Sequence, residues 1–179
     1  MKDYEGQDLS YSDFREADLA GVNFKGAILF KAYFHRANLA GANLEGVFLV
    51  DAVLTEANLT GANLTGANLG ESHLTNAVLI EAKLEGADLG SSTLIGANLE
   101  RANMKGASLL DANLHKANLT GADLTGADMR WVFLREANLS GANLTNANLF
   151  EEDIYYLNGV NLNGSRPVFC YWYKRRIHE

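Results

Sequence analysis

A five-residue repeat runs through almost the whole chain and restricts the folds open to it. It is clearest at Ala57-Asn-Leu-Thr-Gly-Ala-Asn-Leu-Thr-Gly-Ala-Asn-Leu69, where one unit is written three times. We index each unit by its central apolar residue, the centre. Centres recur every five residues from Leu9 to Ile154, which gives thirty units, and twenty-four of the centres are Leu. Ala stands two residues before the centre in twenty-two units, and Asn or Asp stands directly before it in twenty.

A period of five fits neither a long helix nor a flat strand. Along an α-helix, five residues advance by about 500°, so the Leu positions would spiral around the axis and leave no apolar face. Along a flat strand, side chains alternate with period two, so successive Leu residues would point to opposite sides. If the chain turns a corner once per unit, every centre can point inward. The repeat therefore predicts a coiled path of short strands and corners.

The small and medium residues of each unit suit the inside and the corners of such a coil. Ala and Leu can fill a narrow interior without voids. Asn or Asp before the centre, and Gly frequently two residues after it, are residues that favour turns. We therefore expect one turn per unit.

The repeat resembles the A(D/N)Lxx signature of the pentapeptide-repeat family in units such as Ala57-Asn-Leu-Thr-Gly, Ala87-Asp-Leu-Gly-Ser and Ala122-Asp-Leu-Thr-Gly. The resemblance implies an all-β solenoid, a right-handed quadrilateral parallel β-helix with twenty residues per coil. Thirty units would form about seven to eight coils. We assign residues 1–154 to this β-helix and residues 155–179 to a C-terminal cap with a short helix.

Composition and charge set further expectations. The chain has one Cys, and its first residues contain no apolar signal region, so we expect a cytoplasmic protein without an intrachain disulfide. No run of about eighteen apolar residues is present, and we expect no membrane span. The net charge is −7, with the positive excess confined to the last twenty-five residues. An acidic shaft should repel nucleic acid and attract proteins that bind nucleic acid, although the same charge also serves solubility.

Two sets of apolar residues occupy outward positions. The first set is Ile28, Phe30, Tyr33, Phe48, Val50 and Val53. In twenty-residue coils these side chains would stack into a patch of several hundred Å², the size at which exposed apolar surface marks a partner site. The patch predicts a docking or dimer surface. The alternative is that these residues are chance departures from the repeat and have no function.

The second set is Trp131 and Phe133, which lie between Arg130 and Arg135. Aromatic and Arg side chains are common anchors of interfaces, so this pair is a second candidate contact. The alternative is that both rings pack beneath the terminal segment.

The repeat breaks down after Ile154, where Glu152 already occupies an inward slot. Beyond it, Ser165 and Pro167 could begin a short helix. The aromatic residues Phe169, Tyr171, Trp172 and Tyr173 would then either cap the last coil or form a dimer contact. At the other end, the first coil presents an open β edge, which predicts pairing with a second chain as another route to a homodimer.

Some polar residues have predictable contacts but do not indicate a catalytic or binding site. Ser72 and Ser92 replace inward Ala residues, and their hydroxyls should bond each other or the backbone. Stacking at twenty residues predicts ion pairs of Lys25 with Glu45 and of Glu85 with Lys105. We expect these exposed pairs to contribute at most about 1 kcal/mol each.

No catalytic or metal-binding set stands out from the repeat. His35, His73 and His115 fall on one face, but they are two coils apart, roughly 10 Å, whereas zinc ligands lie about 2.0 to 2.3 Å from one ion. We expect no enzyme, no cofactor and no metal.

The sequence therefore predicts a non-enzymatic protein-binding or scaffold module, a rigid acidic rod that binds neither nucleic acid nor membranes directly. Two alternatives remain. The resemblance implies one of them, because some pentapeptide-repeat proteins mimic duplex DNA, bind DNA gyrase and confer quinolone resistance. The other is a structural rod that assembles with itself.

Overall fold

The chain forms a right-handed, four-sided parallel β-helix in its computed structural model, which describes residues 3–149. Each strand is reduced to a single β-bridge, and these bridges recur every five residues from Asp3 to Asn148. Every bridge is parallel and joins residues twenty apart, for example Asn38 to Asn58. The described chain therefore makes a little over seven coils, and the column is about 34 Å long at the spacing of stacked strands.

We name the four sides of the column by their centres. Face 1 contains Phe24 and Leu44, face 2 contains Leu29 and Leu49, face 3 contains Phe34 and Leu54, and face 4 contains Leu39 and Leu59. Within a unit, the small position lies two before the centre and the polar position lies directly before it. The first and second turn positions follow the centre and form the corner to the next face. Coil one is residues 3–22, and each later coil follows at twenty-residue intervals.

Four of the five backbone N–H groups of a regular unit donate to backbone carbonyls. The unit centred on Leu59 shows the pattern. Leu59 N and Gly61 N donate to the coil above, at Val78 O (2.7 Å) and Ile80 O (2.8 Å), while Asn58 N donates to the coil below, at Ala37 O (2.9 Å). The fourth bond closes the corner that leads into the unit, from Ala57 N to Leu54 O at 3.1 Å, and Ala62 N closes the next corner on Leu59 O at 3.0 Å. The coils are thus held together chiefly by backbone hydrogen bonds.

The corner requires a left-handed backbone at the second turn position. In the unit of Leu59 this residue is Gly61, with φ +63°. A four-residue turn with positive φ at its third residue is a type II turn, and Gly adopts that conformation without steric cost. The frequent Gly at this position is therefore explained by the corner.

The core is a single shaft of small positions and centres. From Val22 to Leu149 every residue at these two positions is buried, and most are completely inaccessible. Ser72 and Ser92 take part, and each hydroxyl donates to the carbonyl three residues earlier, Leu69 O and Leu89 O, at 2.6 Å. Of the two bonding modes expected for these serines, the structure shows the backbone mode.

Aromatic rings fill the N-terminal end of the shaft. Phe24 and Phe34 are completely buried. Tyr4 stacks on Phe24 with ring centroids 5.0 Å apart, and Phe14 stacks on Phe34 at the same distance. Tyr4 therefore acts as a centre, so the repeat begins one unit earlier than the predicted start at Leu9.

The fold class predicted from the sequence is confirmed over the described residues. Residues 150–179 lie outside them. The boundary at residue 154, the predicted helix, and the cap or dimer role of Phe169, Tyr171, Trp172 and Tyr173 therefore stay predictions.

Candidate protein-interaction surface

Asn and Asp at the polar position complete the hydrogen bonding of each unit. The fifth N–H, at the first turn position, has no backbone acceptor in the regular pattern. In the unit of Leu59, Asn58 Oδ1 accepts Thr60 N at 3.1 Å and also the Thr60 hydroxyl at 2.7 Å. This is an Asx turn. The same side chain donates from Nδ2 to Asn38 Oδ1 in the coil below at 3.2 Å, so the amides also form a ladder along the column.

Polar positions that hold a residue other than Asn or Asp are concentrated on two faces. Outside Asn and Asp, the polar positions of the described chain hold Ile28, Phe48 and Ser108 on face 2; Tyr33, Val53, His73, Thr93 and Phe133 on face 3; Val78 on face 4; and Lys83 on face 1. An apolar side chain has no oxygen to accept the N–H at the first turn position. Eight of these ten residues lie on faces 2 and 3, so these two faces lack the Asx turn at more positions than faces 1 and 4 do.

The four edges of the column also differ in how often Gly occupies the second turn position. Gly occupies the second turn position in seven of the eight described corners between faces 1 and 2, and in five of the seven between faces 4 and 1. The corners between faces 2 and 3 contain no Gly, and those between faces 3 and 4 contain only Gly96. Along the edge between faces 2 and 3, the residues at positive φ are Tyr11, Lys31, Asp51, Glu71, Ser91, Asp111 and Trp131. Along the edge between faces 3 and 4, the residues other than Gly at positive φ are Glu16, Arg36, Glu56, Asn76, Lys116 and Glu136.

Side chains at a left-handed corner are unfavourable for the fold. A residue with a Cβ loses on the order of 1 kcal/mol there relative to Gly, and bulky residues such as Tyr11 and Trp131 are unusual at positive φ. The chain nevertheless keeps side chains along both edges of face 3. Strain repeated on one side of a regular scaffold indicates that these side chains are retained for another reason.

The first predicted apolar set lies at the N-terminal end of this surface. Ile28, Tyr33 and Phe48 are exposed, at 41%, 44% and 39%. Phe30, Val50 and Val53 are half-buried beside them. The structure stacks Ile28 on Phe48 and Tyr33 on Val53 through β-bridges.

Tyr11 extends this patch and was missed by the sequence interpretation. It is 62% exposed, and its ring meets that of Phe30 edge to face, with centroids 5.6 Å apart. Phe30 in turn lies 6.3 Å from Phe48. The stacking of second turn positions against first turn positions, seen in the bond from Tyr11 N to Phe30 O, is the signal that could have identified Tyr11. We call the seven residues, Tyr11 and the six predicted from the sequence, the apolar patch.

Two cations border the patch. Lys31 Nζ lies 5.1 Å from the centre of the Phe30 ring, and Arg15 lies 6.0 Å from that of Tyr33. Cations within about 6 Å of an aromatic face are attracted by the ring quadrupole. Lys31 Nζ also lies 3.7 Å from Asp51 Oδ2. The patch is thus an apolar centre with a polar rim, which is the usual anatomy of a protein interface.

The second predicted set lies on the same side of the column. Trp131 is 55% exposed on the edge between faces 2 and 3, and Phe133 is 59% exposed on face 3. Phe133 is five coils from Tyr33 in the same column, about 24 Å. The two sets do not touch, but a single elongated partner lying along face 3 could reach both.

The flanking arginines are held by carboxylates. Arg130 donates from Nη2 to Asp128 Oδ2 at 2.6 Å, and Arg135 Nε lies 3.4 Å from Glu136 Oε1. The hydrogen bond from Arg130 is the largest contribution that lowers the pKa of Asp128. These arginines are therefore oriented along the surface by their neighbours.

One of the two predicted ion pairs is confirmed and the other is wrong. Lys25 Nζ lies 3.0 Å from Glu45 Oε1, as stacking at twenty residues predicts. Lys105 instead pairs with Asp123 at 3.3 Å, and Glu85 accepts Asn103 Nδ2 at 3.4 Å. Both of these contacts are diagonal, eighteen residues apart. The long side chains of Lys105 and Glu85 reach the polar position of the next coil and not the residue directly above them. Stacking at twenty residues does not predict such contacts.

The three histidines of face 3 have separate environments. His35 Nδ1 lies 2.8 Å from Thr55 Oγ1, His115 Nδ1 lies 2.8 Å from Arg135 O, and His73 is exposed. Among residues 3–149, no three His, Cys, Asp or Glu side chains are placed to share a metal ion. Asp13, Arg15, Glu16 and His35 line a shallow, open pocket. The part of the chain that the structure describes contains no helix able to span a membrane.

Comparisons with known proteins identify the repeat. A family model described as pentapeptide repeats matches the chain in eight copies over residues 5–35, 32–70, 57–94, 92–130 and 122–150. No curated protein matches the chain.

Among solved structures, a trypsin-treated form of QnrB1, a plasmid-mediated fluoroquinolone resistance protein, is 18% identical and covers 96% of this chain and 87% of its own, with a TM-score of 0.64. Full-length QnrB1 is 19% identical and covers 93% and 91%, with a TM-score of 0.55. A pentapeptide repeat protein from the Arabidopsis thaliana thylakoid lumen is 33% identical and covers 71% of each chain, with a TM-score of 0.45. At its level of identity, the likeness to QnrB1 concerns the fold alone.

Proposed function

The chain belongs to the pentapeptide-repeat family, and we propose that it is a non-enzymatic protein-binding module whose contact surface is formed by faces 2 and 3. The observation that carries this proposal is the segregation of unfavourable residues. Side chains at left-handed corners border face 3 on both sides, and most of the polar positions without Asn or Asp lie on faces 2 and 3. Faces 1 and 4 supply the regular scaffold.

The apolar patch is the proposed anchor of the contact. The exposed rings of Tyr11 and Phe48 are linked by ring contacts through Phe30, and Ile28 stacks on Phe48, so a partner can cover them together. Clustered aromatic anchors surrounded by polar groups supply most of the free energy of binding at protein interfaces. Trp131 and Phe133 form the second anchor for a partner that extends along face 3.

A matched pair of variants tests this proposal. Phe30→Lys with Val50→Lys places two cations in the patch, on face 2. Ala40→Lys with Thr60→Lys places the same charges at equivalent first turn positions on face 4, in coils two and three. All four residues are half-buried. Each protein is immobilised, and the proteins that it captures from the lysate of its source are quantified by mass spectrometry.

We expect the unmodified chain and the face 4 variant to enrich the same protein, and the patch variant to enrich it at least about tenfold less. A tenfold loss corresponds to about 1.4 kcal/mol of binding free energy. Equal enrichment by both variants, with circular dichroism showing that both are folded, would contradict the proposed surface.

DNA gyrase is one candidate partner, and the acidic charge of −7 favours testing it. A supercoiling assay with purified gyrase separates the two functional classes. Inhibition at micromolar protein that weakens with salt would identify the chain as a DNA mimic, whereas no effect would leave the scaffold function. Concentration-dependent oligomers without any foreign partner would instead indicate a self-assembling rod.

A further inference from the structure

Side-chain amide bonds join adjoining coils at every described junction except one. The Nδ2 group of an Asn at the polar position donates to the coil below, as from Asn43 to Asn23 Oδ1 and from Asn118 to Asn98 Oδ1, both at 3.0 Å. Within residues 3–149, each pair of adjoining coils has at least one such donor apart from coils four and five, residues 63–82 and 83–102.

The residues at this junction explain the missing bonds. Val78 lies beneath Asn98 on face 4 and offers no acceptor, and Lys83 replaces the amide donor on face 1. On face 2 the residue above Asn68 is Asp88, which has no amide N–H to donate. Each of these three faces therefore loses its amide bond at the same height in the column.

The chain also lacks Asx turns where it passes from coil four to coil five. His73, Val78 and Lys83 occupy the polar positions of three successive five-residue units, and none of them accepts the N–H at its first turn position. Elsewhere in the described chain, units without this turn occur singly or in pairs. Local bonding within the chain and amide bonding between coils are thus reduced at one place.

Two glycines on face 2 add to this effect. Gly70 and Gly90 occupy first turn positions outside the left-handed region, so the corner does not require Gly there. They are the two glycines of residues 3–149 for which this is true, and they lie in coils four and five. Because Gly loses more conformational freedom on folding than other residues, both lower the stability of their coils.

Backbone bonds and the core remain continuous across the junction. Leu69 N donates to Asp88 O at 2.6 Å, as equivalent groups do elsewhere. An exposed ion pair, Arg101 Nε with Glu81 Oε1 at 3.3 Å, also spans it, and such pairs contribute little. The two parts of the column are therefore in contact, but through fewer bonds than other adjoining coils.

We propose that the column is jointed between coils four and five, so that residues 3–82 and residues 83–149 unfold as two separate cooperative blocks. In a solenoid each coil contacts only its neighbours, so stability is close to a sum of coil and junction contributions. A partly unfolded column then ends at the weakest junction, which is the one at residue 83. Sub-global opening in contiguous blocks is a general property of folded chains.

The joint lies between the two proposed anchors of the contact surface. The apolar patch belongs to the first block, and Trp131 with Phe133 belongs to the second. A partner that binds both anchors would stabilise both blocks, whereas one that binds a single anchor would stabilise only one. This consequence rests on the proposed function, but the joint itself does not.

Native-state hydrogen exchange tests the joint without any partner. Exchange is followed by mass spectrometry of peptides at urea concentrations below the unfolding midpoint, which gives the opening equilibrium of each coil. We expect the inner coils of the two blocks to differ at least about tenfold in this equilibrium, or 1.4 kcal/mol. The step should fall at the peptide that contains Lys83.

A rearranged variant is the matched control. Val78→Asn and Lys83→Asn repair the joint, and Asn58→Val with Asn63→Lys in the same chain place the same two residues one coil earlier, at equal composition and charge. Asn58 and Asn63 donate to the coil below in the unmodified chain, so this variant loses those bonds. We expect the step in protection to move from residue 83 to residue 63, and the repair alone to reduce it.

A single opening equilibrium across residues 3–149 of the unmodified chain overturns the proposal. So does a step that stays at residue 83 in the rearranged variant, with circular dichroism showing that this variant is folded. Neither result bears on partner capture, so the joint and the proposed contact surface fail separately.

Discussion

Asn58 Oδ1 accepts the backbone N–H of Thr60 at 3.1 Å, and this contact is the unit of local stability in the column. It recurs at the Asn and Asp residues of the polar position from Asp3 to Asn143, as in the bonds from Thr65 N to Asn63 and from Thr120 N to Asn118.

Removing the Asx acceptor on a scaffold face should destabilise the fold. Asn58→Ala loses the bonds to Thr60 and the ladder bond to Asn38, so we expect the free energy of unfolding to fall by about 1 to 2 kcal/mol. The reverse change, Val78→Asn, supplies the missing acceptor on face 4 and should raise it by about 0.5 to 1.5 kcal/mol. Urea denaturation measures both. Opposite or absent effects would show that the turn contact is not a source of stability.

Replacing a corner side chain by Gly should stabilise the column. Glu71 has φ +58° and is exposed on the edge between faces 2 and 3. Glu71→Gly removes the left-handed penalty, and we expect a gain of about 0.5 to 1 kcal/mol after the entropy of the unfolded chain is included. Gly66→Ala is the matched reversal, since φ is +64° and no atom would lie within 4 Å of the new Cβ. It should cost about 1 kcal/mol by thermal or urea denaturation, and a neutral result would remove the strain argument for face 3.

The buried serines should be nearly dispensable. Ser72→Ala removes a hydroxyl donor together with its need for a partner, and Leu69 O still accepts Ser72 N at 3.1 Å. We expect the free energy of unfolding to change by less than about 1 kcal/mol. Leu74→Ala, in the same unit, should cost about 2 to 5 kcal/mol because it opens a cavity in the shaft. A large loss for Ser72→Ala would indicate that its hydroxyl is required in the core.

Acid should weaken one contact at the N-terminal end of the column, the pair of Asp13 with Arg15. The pKa of Asp13 is lowered to about 2, chiefly by the side-chain hydrogen bond from Arg15. Because the folded-state pKa lies below the unfolded value of 3.8, the contribution of this carboxylate is present above about pH 4 and is lost as the pH falls towards 2. Asp13→Asn should flatten this part of the stability profile, and an NMR titration of Asp13 checks the pKa directly. A pKa near 3.8 would contradict the assignment.

The five-residue period predicted a coiled path with every fifth residue inside. The resemblance to the pentapeptide-repeat family added the twenty-residue register, from which the stacking of Ile28 on Phe48 followed. It did not predict contacts that leave the straight columns. Tyr11 joins the patch through an edge-to-face contact with Phe30, and Lys105 pairs diagonally with Asp123. Both depend on where long side chains turn at a corner, which spacing alone does not determine.

The division of the corners into those with Gly and those with other side chains can be read from the sequence. Written in rows of twenty, Gly6, Gly26, Gly46 and Gly66 fall in one column and Tyr11, Lys31, Asp51 and Glu71 in another. The spacing alone does not show that the side chains of the second column are unfavourable. Their cost arises from the positive φ that all corners share, which only the backbone structure gives.

We propose that faces 2 and 3 carry residues retained for binding and not for folding. The most direct test replaces Tyr33 and Phe48 by Asn, the residue that the scaffold faces use, and measures both urea denaturation and partner capture. Because each Asn restores an Asx acceptor while removing a partly exposed ring, we predict that the free energy of unfolding stays within about 1 kcal/mol of the original or rises. Capture of the partner should fall at least about tenfold, or 1.4 kcal/mol. A loss of 2 kcal/mol or more in stability with capture unchanged would show that these residues serve the fold, and the account would be wrong.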